Sequence, residues 1–433
     1  MKKIAITTLG CKTNQFESAA MREALLKQGF RIVPFATVAD IYIINTCTVT
    51  AKTDAESCRL IRRARRQNSS ARIVVTGCYA QISSSKIRHM PGVTLILGNS
   101  EKKGIVDFIA EMDTDETQKI VVSDISLVKE TEGVTLETFA EQTRAFLQVQ
   151  NGCNQFCSYC IVPYVRGRSR SVKPDNLLEG VRTFAEKGFK EVVLTGIHLG
   201  AYGLDLNPSK RLLDLLATIE ERKLVPRLRI GSLEPTDITD PMIELLAKAQ
   251  IICPHFHIPL QSGSDGVLLR MNRCYSSGFY GNLVGKLEKA IPAACIGTDV
   301  IVGFPGESEG EFEQTRHFLE SLPIAYFHVF PFSARDKTPA AEMSGQVAPG
   351  IIKERARVLR TLSDLKKRSF FNSLKGKELA VLVQNRGADG ALKGLSRNYA
   401  PVALNGPDSL LNTEVKVRVS AVFRDHLRGE VVE

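Results

Sequence analysis

Short apolar runs alternate with longer amphipathic stretches from residue 4 to about 112. IAITTL (4–9) precedes an amphipathic run over 14–28, and IYIIN (41–45) precedes another over 52–67. IVVTG (73–77) is followed by a shorter helical piece, and TLILG (94–98) leads into the stretch after Asn99. Strands alternating with helices of this length predict βαβ units, hence an open parallel sheet with helices on its faces. Residues 113–140 are polar, acidic and weakly periodic, as expected of a connection with a strand or two.

A second α/β series follows. AFLQVQ (145–150), EVVLTG (191–196), RLRIGS (227–232), HFHIPL (255–260), GTDVIVG (297–303) and AYFHVF (325–330) start 28 to 46 residues apart. That spacing is a strand plus a crossover helix, and six such units predict a partial (β/α)6 barrel. Beyond it, ELAVLVQ (378–384), ALKGLSR (391–397) and TEVKVRVSAVF (413–423) alternate apolar and polar residues between Gly, Asn and Pro turns. A small antiparallel β-barrel is expected there. The expected fold class is therefore α/β, with domains at 1–114, 139–370 and 371–433 and a linker at 115–138.

The chain has 433 residues, 43% hydrophobic and 24% charged, the balance of an ordinary globular protein. No apolar stretch approaches the roughly 18 residues of a bilayer span. The start, MKKIAITTLGCKTNQ, reads as a first strand and not a signal sequence, so a cytoplasmic setting is expected and no membrane partner. The formal charge of +10 suits a polyanion. Ten cysteines change the picture more, because a reducing compartment disfavours disulfides and points to metal ligation, catalysis or burial.

Cys153, Cys157 and Cys160 form C-x3-C-x2-C directly after the first barrel strand. That loop lies at a strand's carboxyl end, where barrel enzymes place their active sites. Three such thiolates can ligate three irons of a [4Fe–4S] cluster and leave one iron open, whereas structural zinc and simple electron carriers want four ligands. Cys11, Cys47 and Cys78 each follow a different strand of the first domain, in TTLGC, INTC and VTGC. The carboxyl ends of a parallel sheet share one edge, so these three also converge and again leave an iron open. Cys58, Cys253, Cys274 and Cys295 lack such placement and are expected in packing or on the surface.

These cysteines, with LGCKTNQFES, NTCTVT, TGCYAQ, NGCNQFCSYCIVPYVRGRSRS, LTGIHLGAYG, RIGSLEP, HIPLQSGSD, VIVGFPGE and FPFSARDKTPA, resemble the radical S-adenosylmethionine (SAM) methylthiotransferases along essentially the whole chain. NTCTVT and TLGCKTNQ are most similar to the branch that makes 2-methylthio-N6-threonylcarbamoyladenosine at position 37, beside the tRNA anticodon. The last segment resembles the RNA-binding TRAM barrel. The resemblance implies two [4Fe–4S] clusters, two SAM molecules per turnover, the tRNA anticodon arm as substrate and a flavodoxin or ferredoxin as electron donor, with no DNA partner. Replacing C–H by C–S–CH3 at adenine C2 suits radical chemistry better than side-chain acid–base catalysis, so no catalytic acid or base is assigned.

Position and resemblance together nominate Tyr159, Gly196, Ser232, Glu234 and Gln261 as SAM contacts, with Gly200 and Gly203 in the same glycine run as Gly196. His198, His255 and His257 are expected in packing, one of the last two facing the barrel interior and the other a helix. Three basic stretches suit tRNA phosphates jointly: RLIRRARRQ (59–67), VRGRSRSVK (165–173) and 351–370. Alternatives left open are isopentenyladenosine 37 of tRNA, an aspartate of a ribosomal protein, and a non-catalytic iron–sulfur RNA-binding protein.

Overall fold

The computed structural model describes residues 1–112, 117–131, 133, 136 and 143–432. The first domain runs β1 (Lys3–Thr8), α1 (Lys12–Lys27), β2 (Arg31–Val33), β3 (Ile41–Thr46), α2 (Ala51–Gln67), β4 (Arg72–Gly77), α3 (Cys78–Ile87), β5 (Val93–Leu97), α4 (Ile105–Glu111) and β6 (Lys119–Val121). Its sheet has the order β2-β1-β3-β4-β5-β6, parallel throughout. All six residues of β3 are buried, the mark of a central strand covered on both faces. α2 buries Ser57, Leu60, Ile61 and Ala64, one helical stripe, and starts from a capping box between Thr50 and Thr53. One apolar cluster joins the sheet to α2 and α3, and another joins it to α1 and α4. Two elements escape the apolar pattern. β2 is only RIV, and β6 comes from the polar connection, part of which lies outside the described residues.

The middle domain contains β7 (Arg144–Gln148), a small ribbon of β8 (Gln150–Asn151) and β9 (Arg170–Ser171), then β10 (Glu191–Thr195), β11 (Arg227–Ile230), β12 (His255–His257), β13 (Cys295–Val302) and β14 (Tyr326–Pro331). Between the ribbon strands lies the short helix α5 (Val162–Arg166). The six barrel strands form two parallel sheets, β7-β10-β11 and β12-β13-β14, joined by a bridge between Leu228 and Ile252 and by Leu233 N–H donating to the His257 carbonyl. No described strand pairs β14 back to β7, so the barrel stays open. The two free edges are covered differently. α1 of the first domain packs along β7, with Phe16 in the barrel's apolar core, and the helix Pro349–Ser373 packs along β14 through Ala356 and Leu359.

The last domain is a closed five-stranded barrel, TRAM-like, of β15 (Glu378–Arg386), β16 (Leu392–Ser396), β17 (Pro401–Leu404), β18 (Glu414–Val422) and β19 (Leu427–Val431). β17 and β19 are too short to stand out in the sequence, and they pair in parallel while the other neighbours are antiparallel. This barrel is seated under the amino-terminal ends of the middle strands. Arg227 and Arg229, both fully buried, grip Glu191 at 2.9 Å and reach the carbonyls of Leu395, Ser396 and Arg397. Arg227 also pairs with Glu414 at 3.0 Å. No helix among the described residues is long and apolar enough to cross a membrane.

Candidate active site

Cys11, Cys47 and Cys78 leave the carboxyl ends of β1, β3 and β4, three adjacent strands straddling the point where the sheet's order reverses. Two glycines let these ends close up. Gly10, at φ +95°, would put a Cβ 2.8 Å from the Cys47 sulfur, and Gly77, at φ +99°, would put one 2.4 Å from the Thr46 carbonyl. Side chains are excluded at both positions by backbone and space alike. Cys11 occupies the N-cap position of α1, and Cys78 is the first residue of α3. Burial, reinforced by the nearby Cys78 and Cys11, pushes the Cys47 thiol up to about 11.

One buried cation connects this triad to the next domain. Arg166 donates from Nε to the Cys78 sulfur at 3.2 Å, and its other nitrogens bond Glu17 and Asn14. Burial alone would raise the Glu17 carboxyl, but Arg166 and Lys102 hold it below the usual range. Cys78 packs on Ile161 and Val165. These belong to the segment that leaves Cys160, and α5 spans only about 7 Å. Both triads therefore meet at one seam.

Cys153, Cys157 and Cys160 lie on the loop after β8, tied down by backbone bonds from Cys153 N to Gly167 O and from Cys160 N to Cys157 O. Arg273 donates to the Cys157 sulfur at 3.1 Å and pairs with Glu234. Gln155 N donates to the Cys153 sulfur at 3.4 Å. Burial pushes the Cys160 thiol up to about 12 and raises that of Cys157 against the pull of Arg273. His198 lies between the Cys153 sulfur, at 3.9 Å, and Asp237, at 2.9 Å. Burial opposes its charge, yet Asp237 and Cys153 push its pKa up to about 10. At both triads, neighbouring sulfurs, one of which accepts a bond from a buried guanidinium group, make a soft donor set suited to iron–sulfur ligation.

The nominated SAM contacts fall into two groups. Glu234 reaches the radical loop through Arg273, and Tyr159 packs beside it on Val267, Met271 and Phe304. Gly196 lies under Gln150, whose amide oxygen accepts from Ile197 and His198 N–H. Ser232 and Gln261 have other partners. Ser232 bonds His257 at 2.9 Å, and Gln261, in the left-handed region at φ +69°, is knitted by its backbone to Asp299 and Ile301 of β13. The expectation that His255 and His257 face opposite ways fails, because residues two apart on a strand share a face. Both line the same cavity inside the open barrel.

The basic stretches also need correction. Arg166 and Arg170 are buried and bond protein groups, which leaves Arg168 and Lys173 of 165–173 exposed for phosphate. In 351–370, Arg355 is buried against Glu307 and Glu309, while Arg360 and Lys367 reach the barrel cavity. The arginines of 59–67 lie toward the far end of α2, whose first residue touches Ser333 beside the barrel. Sequence reasoning missed Arg273 and the bridging role of Arg166, whose partners lie 116 and 88 residues away.

The chain matches the Uncharacterized protein family UPF0004 over residues 3–98 and the Radical SAM superfamily over residues 147–319. A Threonylcarbamoyladenosine tRNA methylthiotransferase MtaB of Bacillus subtilis is 37% identical across 100% of this chain and 97% of its own length. The chain belongs to the radical SAM tRNA methylthiotransferases. A protein of the same name from Aquifex aeolicus is 38% identical, over 93% of this methylthiotransferase and 97% of its own length. A tRNA-2-methylthio-N(6)-dimethylallyladenosine synthase of Carboxydothermus hydrogenoformans is 33% identical over 100% and 99%. The methylthiotransferase shares its fold with the radical SAM methyltransferase TsrM of Kitasatospora setae, at 16% identity and a TM-score of 0.55 over 78% of this chain and 77% of that one. It is a tRNA-modifying radical SAM enzyme whose chemistry uses SAM and iron–sulfur.

Proposed function

We propose that this methylthiotransferase converts N6-threonylcarbamoyladenosine 37 of tRNA into its 2-methylthio derivative. Cys153, Cys157 and Cys160 hold one [4Fe–4S] cluster, and Cys11, Cys47 and Cys78 hold a second. The observation that carries this reading is the meeting of two thiol triads across the buried Arg166, each with a guanidinium on one sulfur. Once bound, one cluster supplies the electron that cleaves SAM to a carbon radical, and the other holds the sulfur for C2, a second SAM giving the methyl group.

The chain's residues orient and shield. Arg273, braced by Glu234, fixes Cys157, and His198 keeps its proton between Asp237 and Cys153. Tyr159, Gly196, Glu234, Ser232 and Gln261 are proposed to contact SAM along the carboxyl edge of the barrel. The C-terminal barrel and the exposed cations grip the anticodon arm, and adenosine 37 must leave its stack to reach the chamber. A flavodoxin- or ferredoxin-type donor in the cytoplasm reduces the clusters.

Mass spectrometry of tRNA nucleosides from a strain lacking the protein tests the reading. The 2-methylthio-N6-threonylcarbamoyladenosine should vanish and its unmethylthiolated parent accumulate. An unchanged level would overturn the proposal. Loss of the isopentenyl counterpart instead would transfer the enzyme to the other branch.

A further inference from the structure

The open barrel encloses a cavity of about 1060 Å³, roomy enough for a modified nucleoside. One wall is an aromatic ladder on the free edge strand β14. Tyr326, His328 and Phe330, two residues apart, share the inward face, with ring centroids 5.3 and 6.4 Å apart, and Phe330 is 40% exposed. Solvent-facing aromatic rings in series are a stacking platform for a base. Behind the lining lie charged groups. Arg144, Arg227 and Arg229 converge on the buried carboxylate of Glu191, and Arg227 also pairs with Glu414. Lys12 enters the same cavity from the first domain and feels Arg144, Arg229 and Glu191. Among the described residues Lys12 has neither a hydrogen bond nor an ion pair. The Asp299 carboxylate in the lining is taken by His257 at 3.1 Å, so one half-buried ammonium has all its donors unused. The same field, together with burial, drives the His255 pKa well down, so His255 adds no competing charge.

We propose that this cavity receives the modified adenosine, with its base against Tyr326, His328 and Phe330, and that Lys12 reads an anionic N6-substituent. The inference rests on the function proposed above and adds the residue that selects the substituent. C2 and C6 both flank N1 and their exocyclic bonds diverge, so a base presenting C2 to the thiol seam turns its N6-substituent aside, toward the cavity. Two substituents occur in the names of the relatives, threonylcarbamoyl and dimethylallyl. The first ends in a carboxylate and the second is wholly apolar. A desolvated cation without a partner welcomes the first and is left unpaired by the second. Arg360 and Lys367, at the mouth on the helix Pro349–Ser373, suit the phosphates flanking the inserted nucleotide.

The test uses the reconstituted full-length enzyme and three synthetic anticodon stem-loops. These carry N6-threonylcarbamoyladenosine, the same group with its carboxylate amidated, or N6-isopentenyladenosine. Wild-type kcat/KM should be highest on the acid and fall about 10- to 100-fold on the amide, the value of one charge-assisted bond. Lys12→Met should lose that factor on the acid alone, so that acid and amide become equal, and Lys12→Arg should restore much of the preference. Iron content and circular dichroism of each variant guard against damage at the adjacent Cys11. Equal losses on acid and amide would overturn the role of Lys12 while leaving the proposed function standing. Wild-type turnover of the isopentenyl stem-loop alone would overturn the proposed function itself, and the role of Lys12 with it.

Discussion

Cys153, Cys157 and Cys160 fall within eight residues of chain, while Cys11, Cys47 and Cys78 are spread over 68 and meet only because β1, β3 and β4 are neighbours. The first triad needs one loop in the right conformation. The second needs a whole sheet in register, with Gly10 and Gly77 in backbone regions that side chains resist. A locally built site tolerates motion of the domains around it. A site assembled from strand ends inherits the stability of the sheet and contributes to it when metal binds. Arg166 couples the two, because it belongs to the chain of the first and bonds a sulfur of the second.

The largest effects should come from deleting each triad. Triple Ala replacement of Cys153, Cys157 and Cys160 should abolish SAM cleavage and product together and halve the iron from about eight to about four per chain. The triple Ala variant at Cys11, Cys47 and Cys78 should lose the same half of the iron and all methylthio product, yet still release 5′-deoxyadenosine with a strong reductant. A folded form of that variant that still makes methylthiolated tRNA would end the division of labour.

Arg166→Met should cost about 3 kcal/mol in denaturant unfolding, because Glu17, Asn14 and Cys78 lose their buried charge-assisted bonds while Glu17 keeps only Lys102 as its counter-charge. Its iron loss should fall on the strand-end triad. Equal loss from both sites would mean the coupling runs through the whole fold. Glu191→Gln, remote from both triads, should lower stability by a similar amount without changing the iron content. Burial alone would raise the pKa of Glu191, but Arg229 and Arg227 hold it at about 2. Its contribution is therefore full above the ordinary carboxylate value of about 4.3 and drains as pH falls toward the folded one. Acid titration of wild type against Glu191→Gln should show the two unfolding curves converging at low pH. The smallest effect expected is from Gly10→Ala, about 1–3 kcal/mol of strain at positive φ. Iron should fall at the strand-end site while SAM cleavage survives.

The layout of strands and both cysteine sets were readable because each cysteine directly follows a buried apolar run, and parallel sheets gather such positions on one edge. The pairing of His255 with His257 on one face was equally readable from the two-residue period, and the opposite expectation was an error of parity. Arg273 and Arg166 were beyond reach, since nothing local distinguishes an arginine that bonds a distant sulfur from one that meets a phosphate. β17 and β19 have only four and five residues, and their pairing is fixed by closure of the barrel more than by their own sequence.

The seat of the C-terminal barrel has a consequence for how such enzymes can be rebuilt. Leu395, Ser396, Arg397 and Glu414 saturate two arginines that no water reaches, and Tyr399 lies over Arg229 and against His255. An RNA-binding module hung on a flexible tether could be exchanged between relatives at a linker. Here the barrel itself closes part of the middle domain's cavity, with Tyr399, Pro401 and Arg424 in the lining. A graft would have to bring its own complement to Arg227 and Arg229, and a truncation would open the cavity as well as strip both arginines of partners.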